Sequence, residues 1–165
     1  MSKTRLFQAV KSLDRDTVAA LLEASPKLRA VRDERGRNAL HLLCSLPATD
    51  KTRRPSLELA KDLLGAGVDV NAPAFVDGAF QATPLWYAIS RGRHLELARL
   101  LLKNGSTPEF CLWAAGHHDD VAAIDLLVGH GARVDPVTED ETPFLGAIKW
   151  SRFVAANGCS TTAPM

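Results

Sequence analysis

The sequence predicts an all-α solenoid of stacked antiparallel helix pairs with hairpin-like finger loops. Three recurring features predict it: short start signals that open apolar helices, second helices with paired leucines, and glycines just past the ends of those second helices. Length and composition suit one such domain. At 165 residues the chain can bury one core and is short for two, while 46% hydrophobic and 24% charged residues exclude the disordered and membrane classes. The longest apolar runs, such as Leu100 to Leu102, fall far below the roughly 20 residues of a membrane-spanning helix. Met1-Ser-Lys-Thr-Arg leads directly into an amphipathic segment without the features of a secretory signal, so a cytoplasmic protein is expected.

The start signals align as Thr4-Arg-Leu-Phe-Gln-Ala9, Asn38-Ala-Leu-His-Leu-Leu43, Thr83-Pro-Leu-Trp-Tyr-Ala88, Glu109-Phe-Cys-Leu-Trp-Ala114 and Thr142-Pro-Phe-Leu-Gly-Ala147. The physical logic is fullest at Thr83-Pro84 and Thr142-Pro143. Threonine can cap the first free amides, and proline at the first helical position lacks a donor that would be unpaired anyway. After every start except the last comes a second helix at apolar helical spacing: Thr17 to Leu22, Leu57 to Leu64, Leu95 to Leu102 and Val121 to Val128. Gly67, Gly105 and Gly131 follow three residues past Leu64, Leu102 and Val128, where a left-handed C-terminal cap is easiest for glycine.

Two helices and a turn per unit, opened by Thr-Pro-Leu-His-like starts, resemble the ankyrin repeat. The resemblance covers nearly the whole chain. It is fullest from Thr83 to Gly105, and from Leu126-Leu-Val-Gly-His-Gly-Ala-Arg-Val-Asp135 into Thr142-Pro-Phe-Leu. It implies one domain over residues 1–158, with units about 1–32, 33–72, 73–108 and 109–134, a partial unit 135–158, and a tail 159–165. It also implies no built-in catalytic pocket, no cofactor, and a concave surface of fingers and first helices that binds other proteins.

Departures from the repeat locate that surface. The sixth positions Ala9, Leu43, Ala88, Ala114 and Ala147 are separated by 34, 45, 26 and 33 residues, against a family period of about 33. The long interval holds a basic insertion, Leu46 to Pro55, and an enlarged finger from Asn71 to Ala82. The short one reflects a finger almost deleted between Gly105 and Phe110. The enlarged finger carries Phe75, Asp77 and Phe80, with Trp86-Tyr87 behind it. Spacing puts Trp113 in the register of Tyr87, and the missing finger leaves Trp113 less sheltered. The expected contact surface is Arg35 and Arg37 on one finger, Phe75, Asp77 and Phe80 on the next, then Tyr87, Trp113 and the acidic finger with Glu139 and Asp140. The opposing reading folds Phe75 or Phe80 back over the gap, with Trp86 filling the histidine slot of the motif.

Other side chains carry weaker signals. His41 and Cys44 share a helix face, a spacing able to activate a thiol, but lack a third group and oxyanion donors. His117-His-Asp-Asp120 is the densest group of potential metal ligands, yet adjacent histidines point apart, so no metal is expected. Cys44, Cys111 and Cys159 contain no Cys-x-x-Cys pair and suggest reduced thiols. No phosphate-cradling glycine loop occurs.

Net charge is +1, but residues 1–54 carry twelve Lys/Arg against six Asp/Glu, and residues 55–165 eight against thirteen. The basic third lacks interleaved aromatics, which disfavours nucleic acid and favours steering of a charged protein partner. The alternative to partner binding is self-association through the incompletely capped C-terminal unit, where Phe144, Ile148, Trp150 and Phe153 cluster.

Overall fold

The computed structural model describes residues 2–77 and 80–134. Eight α-helices run through them in four antiparallel pairs: α1 (Lys3–Lys11) with α2 (Arg15–Ala24), α3 (Ala39–Cys44) with α4 (Arg53–Gly65), α5 (Pro84–Tyr87) with α6 (Leu95–Lys103), and α7 (Cys111–His117) with α8 (Val121–Val128). The first helices pack in one layer, α1 on α3, α3 on α5 and α5 on α7. The second helices pack in another, α2 on α4, α4 on α6 and α6 on α8. Between the layers lies a continuous core in which Leu6, Leu40, Leu43, Leu59, Leu63, Leu85, Leu97, Leu101, Ile124 and Leu127 are fully buried. Each pair alone would leave an apolar face open, and stacking closes it.

The caps recur as the sequence suggests, with two exceptions. The side chain of Asn38 accepts from the His41 N–H, and that of Thr83 from the Trp86 N–H, with Pro84 opening the helix. At the first unit the cap is Ser2, which accepts from the Arg5 N–H, rather than Thr4. At the fourth, no side chain caps α7, because Phe110 sits there in the left-handed region at φ 64°. Past the second helices, Gly67, Gly105 and Gly131 have φ of 83°, 85° and 88°. Their successors Val68, Ser106 and Ala132 each donate back to a helix carbonyl at 3.0 Å, as the glycine pattern predicts.

The turns inside the pairs share one design. Leu13, Arg93 and Asp119 take φ of 59°, 48° and 55°. The residues after them, Asp14, His94 and Asp120, cap the second helices with their side chains. Their backbone N–H groups reach back to the carbonyls of Ala9, Ala88 and Ala115. That reach spans five residues in the first and fourth units and six in the third, because α5 continues as a π-helical segment, Ala88–Gly92, one residue wider than its counterparts. The extra residue corrects the register read from spacing. Ala88 corresponds to Ala115, so Trp113 is the counterpart of Trp86, not of Tyr87.

In the second unit the insertion replaces the tight turn. Thr52 Oγ1 accepts from the Thr49 N–H at 2.9 Å, and the Ala48 N–H donates to Gly92 O at 2.9 Å. Gly92 permits that approach, since a Cβ there would lie 2.3 Å from the Cys44 carbonyl oxygen. The fifth unit, the expected C-terminal cap and Cys159 lie outside the described residues.

Candidate functional site

The enlarged finger is a hairpin. Strand β1 (Val76–Asp77) pairs antiparallel with β2 (Phe80–Gln81), Val76 opposite Gln81 and Asp77 opposite Phe80. Two further bonds of 2.9 Å, from the Ala74 N–H to Ala82 O and from the Ala82 N–H to Phe75 O, extend the pairing below, with Ala74 and Phe75 both facing Ala82. The base is locked on both sides. Arg32 Nη1 donates to Gly36 O at 3.1 Å and to Pro73 O at 2.8 Å, clamping the preceding finger to this one. Gly36, at φ 76°, lies so near that a Cβ would stand 2.9 Å from Ala74 O. Asn71 donates to Gly105 O at 2.8 Å and accepts from the Thr107 N–H at 2.9 Å, which ties the hairpin to the next unit.

A groove of about 1270 Å³ opens between this hairpin, the first-helix layer and the shortened third finger. Its apolar wall is a chain of ring contacts. Phe80 is half-buried and meets Trp86 edge-on at 5.6 Å and Phe110 edge-on at 5.7 Å, with Phe75 tilted beside it at 6.3 Å. Trp86 continues to Tyr87 at 5.2 Å, and Tyr87 stands edge-on to His41 at 5.4 Å. Trp113 stacks flat on His117, the planes 7° apart. The large hydrophobic side chains left exposed among the described residues are Phe75 at 59%, Val76 at 57% and Trp113 at 37%, and all three line this groove.

The two phenylalanines of the finger therefore differ. Phe80 fills the space that the deleted finger leaves, against Phe110, and Phe75 faces solvent. Among the other sequence-selected residues, Arg35 is exposed at the groove rim and Tyr87 lines it half-buried. Asp77 is exposed on β1 but does not line the groove. Arg37 also lies outside it, paired with Asp33 at 2.7 Å. Burial pushes the Asp33 carboxyl up, but the bonds from Arg37 and from the Arg35 and Arg37 backbones outweigh it and hold the group below its ordinary value. That arrangement fixes the shape of the first finger. Glu139 and Asp140 lie outside the described residues. Phe110, Arg91 and Arg133 also line the groove, although no sequence pattern marks them. Phe110 enters only because its left-handed backbone turns it there, and no residue pattern announces that conformation.

The polar side chains singled out for chemistry hold backbone instead. His41 is fully buried, its Nδ1 accepting from the Asn38 N–H at 3.1 Å and its Nε2–H donating to Ala82 O at 3.1 Å. Burial lowers its pKa to about 4, so the ring is neutral. Burial also pushes the Cys44 thiol well above its ordinary value. A neutral imidazole beside a protonated thiol is the reverse of a thiolate–imidazolium pair. His94 caps α6 through Nδ1 and donates from Nε2 to Arg53 O at 3.0 Å, and His118 Nε2 donates to Ser90 O at 2.9 Å. Among the described residues no three His, Cys, Asp or Glu side chains converge as metal ligands, and no helix is long and apolar enough to cross a membrane.

A family model for the ankyrin repeat matches residues 81–111, from the second strand of the hairpin through α5 and α6 to the start of α7. No curated protein matches the chain.

Proposed function

We propose that this ankyrin-repeat chain, its third helix pair matching the repeat and its neighbours stacking on that pair in two layers, is a non-enzymatic module that binds another protein in the groove beside the Phe75 hairpin. Ankyrin repeats are in general protein-interaction modules. One observation carries the reading: among the described residues, the exposed large hydrophobic side chains gather on one concave surface, Phe75 and Val76 on one wall and Trp113 on the other. Aromatic side chains on a concave face are strong anchors, because they desolvate a large area while losing few rotamers. The hairpin that presents Phe75 is held at its base by Arg32 and Asn71, so little ordering remains to be done on binding. A groove of about 1270 Å³ exceeds the usual small-molecule site of about 300–1,000 Å³ and suits a segment of polypeptide.

The test is affinity capture from native cell extract with wild-type, Phe75→Asp and Trp113→Ala baits in parallel. A protein retained by wild type and lost from both variants, with helical circular dichroism unchanged, supports the groove. Equal retention by all three baits contradicts it.

A further inference from the structure

The insertion of the second unit builds a basic edge on the side of the stack away from the fingers, where the turns inside the helix pairs lie. Lys51, Arg53 and Arg54 are all exposed. The insertion is docked rather than loose: the Ala48 N–H bonds to Gly92 O at 2.9 Å, and buried His94 donates to Arg53 O at 3.0 Å. These two contacts set the start of α4 against the turn that carries exposed Arg93. Of the acids nearby, Asp50 lies in the insertion and Glu96 beyond Arg93, Glu58 is engaged by Lys61 at 2.9 Å and also feels Arg54, and Asp120 of the next turn caps α8.

The start of α4 also runs against helix electrostatics. A helix N-terminus favours acids, yet α4 has Arg53 and Arg54 in its first turn, no acid there, and no side-chain cap from Thr52. Helices α2 and α6 carry Asp16 and Glu96 at the corresponding place, and α8 carries no charged residue there. A local rule broken on an exposed edge, by residues that a built loop brings together, is expected where a partner repays it.

We propose that Lys51, Arg53, Arg54 and Arg93 form a second interface, which docks a carboxylate-rich segment of a partner protein. The proposal stands apart from the groove. Nucleic acid fits less well, because among the described residues the insertion and the Arg93 turn offer no Phe, Tyr or Trp to stack a base, and the chain's net charge is only +1. An anionic membrane fits less well too, since the exposed large hydrophobics that could anchor it, among the described residues, line the groove instead. Guanidinium groups bind carboxylates as a fork and need neither.

The probe is a fluorescein-labelled peptide of ten glutamates, followed by anisotropy at about 0.1 M salt, where exposed charges are still felt over roughly 10 Å. Replacing Lys51→Glu, Arg53→Glu and Arg93→Gln together should weaken binding at least about tenfold, while an equal charge change elsewhere, Lys3→Glu, Lys11→Glu and Lys27→Gln, should cost less than about twofold. Trp113→Ala should bind as wild type does, which separates this interface from the groove. The pair Lys51→Gln and Arg93→Gln leaves α4 untouched and should still weaken binding about threefold. Absence of peptide binding, or equal loss in both charge-changed variants, overturns the proposal. So does tighter binding, through the same residues, of a twelve-nucleotide oligothymidylate or of phosphatidylserine vesicles.

Discussion

Replacing Phe80 with alanine should detach the enlarged finger, whereas the same change at Phe75 should leave the fold intact. Phe80 meets Trp86 at 5.6 Å and Phe110 at 5.7 Å, both edge-on. Each such contact is worth about 0.5–1.5 kcal/mol beyond the area it buries. Burial of about half a phenylalanine side chain adds about 1 kcal/mol. The loss in Phe80→Ala is therefore about 3 kcal/mol. Phe75, 59% exposed and with one tilted contact at 6.3 Å, should lose less than about 1 kcal/mol. Urea unfolding followed by circular dichroism measures both, with hydrogen exchange at the Ala74 and Ala82 amides reporting the hairpin itself. Equal destabilisation by the two substitutions, or a neutral Phe80→Ala, would refute the division of roles drawn from the ring geometry.

The buried histidine makes stability depend on acid. His41 has its pKa lowered to about 4 by burial, against about 6.5 in an unfolded chain. The unfolded state takes up the proton first, so the contribution is whole above about pH 6.5 and is lost as pH falls toward 4. Between pH 7.5 and 4.5 wild type should lose about 2–3 kcal/mol more than His41→Gln; parallel slopes in the two unfolding series would contradict this. Gly92→Ala should destabilise by about 2–3 kcal/mol, because its Cβ would meet the Cys44 carbonyl at 2.3 Å and push the insertion off the third unit. A neutral substitution would show that the contact gives way freely. In a Cys159→Ser background, Cys44 and Cys111, buried with thiol pKa values raised by that burial, should react with a thiol reagent only as the protein unfolds. Labelling of either in the native state at the rate of a free thiol would count against the packing.

The features legible in the sequence were those that depend on residue type at short range. Thr83-Pro84 announced its helix because cap and proline act within one turn. Gly67, Gly105 and Gly131 announced their caps because other side chains resist that backbone. What escaped depends on contacts between units. The π-helical residue in Ala88–Gly92 has no marker of its own, and it shifted the apparent register of Trp113 by one position. Phe110 at positive φ looks like any phenylalanine before a helix, yet it supplies the ring that draws Phe80 inward. The sequence left open whether the finger's phenylalanines point outward or fold back over the gap. Only the packing of the neighbouring unit decided that the exposed one is Phe75.

Photo-crosslinking tests the central claim most directly, because it reads contact rather than affinity. With p-benzoylphenylalanine at position 75, irradiation should join the captured protein to this chain, and the same group at exposed Arg99 of α6 should not. Crosslinking from position 99 and none from position 75 would place the partner away from the groove and contradict the account.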